Sequence, residues 1–104
     1  MPLVGGLQAT QLSDDFLQEL LDKILPQVQQ QVVRDEKITR LEGHSFRTQL
    51  VNGVNYWVKA KVIPDSNPVE YLHLRIHRPF GENSVPSLHS YQSDKKEEDF
   101  LDSF

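Results

Sequence analysis

Residues able to do chemistry are few, and they are scattered. The chain has no cysteine, which removes thiol nucleophiles, thiolate metal ligands and disulfides together. His73 and His77 invite a metal pair. On a strand, residues four apart share a face but lie about 13 Å apart at about 3.3 Å per residue, too far for one ion. They read instead as solvent-facing imidazoles. Asp14 and Asp15 are explained by a helix start, and Glu97, Glu98 and Asp99 by a solvated tail. No nucleophile with its base, phosphate-cradling glycine loop or paired-acid motif is present. The sequence therefore implies no catalytic residue, metal or cofactor. What remains is recognition, centred on Gln49-Leu50-Val51-Asn52-Gly53.

That stretch, with Val54 to Lys59 after it, reads as a hairpin tip between two alternating strands. A two-residue turn would set Val51 against Val54, and Phe46 against Lys59. A three-residue loop, 51–53, sets Leu50 against Val54, Thr48 against Tyr56 and Phe46 against Val58. A one-residue slip turns a strand's apolar set to the wrong face, so the second register is expected. Gly53 then sits where a positive φ is required. Val51 and Asn52 project from a stiff tip with no core of their own to enter.

The surrounding elements follow from period and punctuation. At 104 residues the chain is one domain, and its hydrophobic content of 38% suits a modest core. Net charge is −4 and the eleven Lys and Arg residues are scattered, so nucleic acid is not an expected partner. No leader-like opening or membrane-length apolar run is seen, which predicts a cytoplasmic protein that is not a membrane partner. Residues 1–12 read as a mobile arm. Ser13 reads as an N-cap, and Phe16, Leu17, Leu20, Leu21, Ile24, Leu25 and Val28 follow at helical spacing. One helix over roughly 14–33 is predicted, kinked near Asp22 by Pro26.

From about Ile38 the period becomes two. Leu41 lies on one parity and Phe46, Thr48 and Leu50 on the other, so a bulge is expected near Gly43. Strands are predicted over 54–62, 72–76 and 88–92, with loops at 64–68 and 79–86 and an irregular tail over 93–104. Phe100, Leu101 and Phe104 are available to dock on the domain. Trp57 falls on the polar parity, where packing against neighbouring strands is favoured over an exposed contact. The fold class is α+β: a kinked helix covering a four- to five-stranded antiparallel meander. In a meander alternate connections share an end, so the 51–53 tip, the 79–86 loop and the arm should converge on one edge.

Those converging segments also carry a family resemblance. Gly5-Gly6-Leu7, Asp22-Lys23 with Pro26-Gln27-Val28, Gln49 to Tyr56, Tyr71 to Arg75 and Tyr91 to Lys95 resemble, in order and spacing, the stefins or type 1 cystatins. These are intracellular inhibitors of papain-like cysteine proteases such as cathepsins. The resemblance runs essentially end to end and implies a cystatin-like fold, no enzyme activity and reversible, non-covalent, competitive inhibition. It implies that Leu3, Val4, Gly5 and Gly6 enter the non-primed side of the cleft. Gln49, Leu50, Val51, Asn52 and Gly53 would lie over the catalytic centre, and Pro79 and Phe80 on the primed side. Either Gly5 or Gly6 could match the family glycine, with Gly5 favoured. Two departures stand out: Arg78-Pro79-Phe80-Gly81 replaces the usual Leu-Pro tip and is one residue shorter, and Asn52 is larger than the common small residue. The alternative reading is a cystatin-fold module that binds another protein without inhibiting proteases. A monomer is expected, with a domain-swapped dimer as the alternative.

Overall fold

A computed structural model describes residues 6–104; Leu3, Val4 and Gly5 lie outside the described residues. The elements are β1 (Gln11–Leu12), α1 (Asp15–Gln31), β2 (Arg40–Val51), β3 (Gly53–Ile63), β4 (Tyr71–Arg78) and β5 (Ser87–Lys95). The strands form one antiparallel sheet in the order β1-β2-β3-β4-β5. Gln11 and Leu12, assigned by sequence to the mobile arm, instead pair with Phe46 and Ser45.

The helix starts one residue later than its sequence signal. Asp14, not Ser13, is the N-cap, and its carboxylate accepts from the Leu17 amide at 2.8 Å. The Ser13 amide donates to the His44 carbonyl at 3.1 Å, continuing the pairing of β1 with β2 up to the cap. The helix continues through Pro26, which lacks the N–H that would reach the Asp22 carbonyl. It ends at Gln31 because Val32 is extended (φ −88°, ψ 109°). Leu17, Leu21, Ile24 and Val28 are fully buried against the inner face of the sheet. Each such side chain is worth roughly 1.5–3 kcal/mol. Phe46, Val58, Leu74, Leu41, Val62 and Ile76 supply the opposing layer.

The β2–β3 register is the one that keeps both apolar sets inward: Leu50 faces Val54, Thr48 faces Tyr56 and Phe46 faces Val58. The register shifts between Gly43 and Ser45, where the parity switch predicts a bulge. A side chain at Gly43 would come within 2.4 Å of the Ser13 hydroxyl and 3.2 Å of Leu17, so α1 and the residue before its N-cap pack directly on the bulge.

The outer face of the sheet departs most from expectation. β5 runs through Lys95 rather than stopping near Gln92, and residues 96–104 fold back across that face. Lys59 donates to the Glu97 carbonyl at 2.6 Å and Arg47 to the Leu101 carbonyl at 3.0 Å. The Trp57 indole and Arg75 both donate to the Phe104 main-chain oxygen, at 3.4 and 3.2 Å. Leu101 and Trp57 are buried, whereas Phe100 stays largely exposed. His73, expected to face solvent, is fully buried and neither ring nitrogen has a hydrogen-bond partner. Burial first, then Lys95 and Lys59, push its pKa down to about 4, with Asp99 opposing. A period-2 pattern marks which face a strand residue takes but not whether a distant segment will cover that face.

Candidate functional site

The first tip is built by Asn52 and Gly53. Val51 and Gly53 are paired across it, and Gly53 has a φ of +108° that an L side chain rarely adopts. Space forbids a side chain as well: a Cβ there would lie 2.6 Å from the Arg78 carbonyl and 2.8 Å from the His77 ring. The tip therefore rests directly on the end of β4, the residues from which the second loop departs. Asn52 is exposed, Val51 and Gln49 are half-buried, and Leu50 is 50% exposed although it keeps the core parity.

The second loop, residues 79–86, leaves β4 at Arg78, the partner of Val54. Pro79 and Phe80 are exposed, Phe80 by 58%, and Gly81 supplies another positive φ (+118°). Two supports beneath these loops were not singled out from sequence. His77 Nδ1 lies 2.7 Å from Asn55 Oδ1, within the cross-strand row Gln49–Asn55–His77–Ser87. Arg78 donates to the Tyr56 hydroxyl at 3.3 Å, and its guanidinium sits 5.5 Å from the Phe16 ring centroid. The signal for Arg78 was a charged residue on the core parity, which needs an aromatic or polar partner to be tolerated. Val85, 71% exposed, is an apolar surface residue of the same loop that sequence reasoning passed over.

The arm's root reaches the same end of the sheet. The Gln8 amide donates to the Thr48 carbonyl at 2.8 Å, three residues before Val51. From Gln11 beside Phe46 to Gln8 beside Thr48, the chain climbs β2 towards the first tip. Gly6 is exposed, with open space around the position a Cβ would take. Gly6, Val51 to Gly53 and Pro79–Phe80 are thus served by one end of the sheet.

Between α1 and the second loop lies a shallow cleft of about 180 Å³, lined by Phe16, Lys23, Arg78, Gly81 and Ser84 among others. Among the described residues, no group of three or more His, Asp or Glu side chains could hold a metal, and no helix is long and apolar enough to cross a membrane. The surface presents turns that carry exposed apolar side chains over a hydrogen-bonded support.

No protein-family model matches the chain. Similarity to individual proteins is extensive. The chain is 36% identical to Cystatin-A2 of Dictyostelium discoideum over 104 residues, covering 100% of both chains. It is 32% identical to Cystatin-A of Homo sapiens, covering 96% of this chain and 97% of the human one. Leukocyte cysteine proteinase inhibitor 1 of Sus scrofa is 29% identical, with 98% and 94% covered. End-to-end identity of this order, on one helix laid against a five-stranded antiparallel sheet, decides the family: the chain belongs to the type 1 cystatins, the stefins.

Proposed function

We propose that this protein is a reversible, tight-binding, non-covalent competitive inhibitor of papain-like cysteine proteases of the cathepsin type. It acts in the cytoplasm as a monomeric single domain spanning residues 1–104. Leu3, Val4, Gly5 and Gly6 occupy the non-primed side of the protease cleft. Gln49 to Gly53 lie over the catalytic centre, and Pro79 and Phe80 fill the primed side. The observation that carries the reading is the joint placement of arm root and tips: Gln8 against Thr48, and Gly53 against Arg78.

The physical logic is steric. A glycine lets the arm's backbone turn away before a peptide carbonyl meets the thiolate, so the groove is filled without a cleavable bond in place. A tip already held by Arg78 and His77 loses little conformational entropy on docking, which favours affinity over a flexible peptide of equal area. Val51 and Phe80 serve as apolar anchors, and the exposed Leu50 and Val85 widen the apolar contact.

The test is inhibition of papain by the full chain and by a chain lacking residues 1–5. Competitive inhibition is expected from the first, and a faster dissociation rate from the second. A full chain that leaves papain untouched would favour a non-inhibitory binding module instead, the reading to which the Pro79–Phe80 departure lends weight.

A further inference from the structure

Arg47 joins two segments that are remote in sequence. Its Nε donates to the Gln8 carbonyl at 2.9 Å, its Nη1 donates to the Leu101 carbonyl at 3.0 Å, and the Phe100 ring centroid lies 5.5 Å from its guanidinium carbon. One planar cation therefore holds the root of the N-terminal arm with one edge and the C-terminal tail with another. Lysine could not copy this, because an ammonium has no fixed fork with which to hold two carbonyls at set angles.

The same cross-strand row holds the tail at further points. Arg47 stands in a cross-strand row with Trp57 and Arg75, and Arg75 lies 5.6 Å over the Trp57 ring. The Phe104 main-chain oxygen accepts from both Trp57 and Arg75 in that row. On the same face of the sheet, the next row towards the tips is Gln49–Asn55–His77, two residues along each strand. The tail thus ends one row, about 7 Å, below the residues that carry the first tip. Gln8 has a second tie, its amide to the Thr48 carbonyl. With both ties made, Gln8 is clamped on its N–H and C=O sides alike.

We propose that Arg47 is a positioning residue for protease binding, through which the C-terminal tail sets the root of the N-terminal arm. The proposal rests on the inhibitory reading above. Arg47 itself touches no protease. It acts by limiting the directions in which the chain before Gln8 can leave the sheet, so the docked arm gives up less freedom. Its loss should therefore appear in how long the complex lasts rather than in how fast it forms.

The experiment compares Arg47→Met, Arg47→Lys and a chain ending at Asp99, each with and without residues 1–5. Dissociation rates from papain are read alongside amide hydrogen exchange in the free proteins. Arg47→Met and the shortened tail are each expected to raise the dissociation rate by roughly tenfold, with association altered less than about threefold. Combined, they should give no more than either alone, and both effects should vanish once residues 1–5 are removed. Arg47→Lys should fall between wild type and Arg47→Met. Exchange at the Gln8 amide should rise in Arg47→Met while the Val58 and Leu74 amides stay protected. Equal effects with and without residues 1–5 would overturn the proposal, since they would mark general loosening of the fold. So would unchanged protection of Gln8, a result that stands even if the chain proves not to inhibit papain. Failure of wild type to inhibit, with the exchange coupling intact, would sink the inhibitory reading and with it Arg47's role in protease binding.

Discussion

At the scale of single residues, Gly53 and His73 mark two extremes of what the fold demands. Gly53 is required twice over, by its φ of +108° and by the Arg78 carbonyl 2.6 Å from where a Cβ would sit. Gly53→Ala should cost about 2–4 kcal/mol of stability, from backbone strain and overlap together, and should weaken papain inhibition more than the loss of fold accounts for. Urea unfolding and inhibition constants on the same preparation check both. His73 is the opposite case, a residue the fold tolerates rather than needs. Its two buried, unpartnered nitrogens make His73→Leu neutral or stabilising at pH 7, because an unmet polar group is replaced by an apolar one of similar volume. A substantially lower urea midpoint would show that the imidazole has a partner after all.

Elements were legible where the two faces of a strand differ in composition. The β2–β3 register could be read because Leu50, Thr48 and Phe46 must face Val54, Tyr56 and Val58, and the bulge because Leu41 and Phe46 disagree in parity. The helix was legible in its apolar stripe but not in its first residue. Ser13, Asp14 and Asp15 are all competent near an N-terminus, and it is the pairing of the Ser13 amide with His44 in the sheet and the bond from the Leu17 amide to the Asp14 carboxylate that together place the cap at Asp14. Asp14→Ala should accordingly lower stability by about 1 kcal/mol, and Ser13→Ala by clearly less, as thermal or urea melts can show. The outer face was not legible. Lys59, Trp57 and Arg75 sit on the polar parity, and what lies over them is a tail held largely through its own main-chain oxygens, which leave no mark in side-chain pattern.

For the whole molecule, that covered face ties stability to acidity. The folded His73 stays neutral down to about pH 4, whereas the unfolded chain's imidazole takes its proton near the ordinary value of 6.5. Between those two values the unfolded chain binds more protons, so stability falls as pH is lowered from about 6.5 and the loss is complete near pH 4. At 1.36 kcal/mol per pH unit, the His73 contribution to that loss is about 3 kcal/mol. Urea midpoints across this window should slope downward in the wild type and less steeply in His73→Leu. Trp57, the one tryptophan of the chain, lies under the tail and reports on its docking. Removing residues 97–104 should shift its emission to the red, and an unshifted spectrum would show the indole buried by the sheet alone.

The contact between Gly53 and the Arg78 carbonyl bears on any effort to redesign specificity. The first tip rests on the end of β4 from which the second loop departs, so the two loops can be exchanged as separate cassettes only beyond that strand end. A longer Leu-Pro hairpin end can replace 79–86 without moving the neighbouring turn so long as β4 is kept unchanged through Arg78.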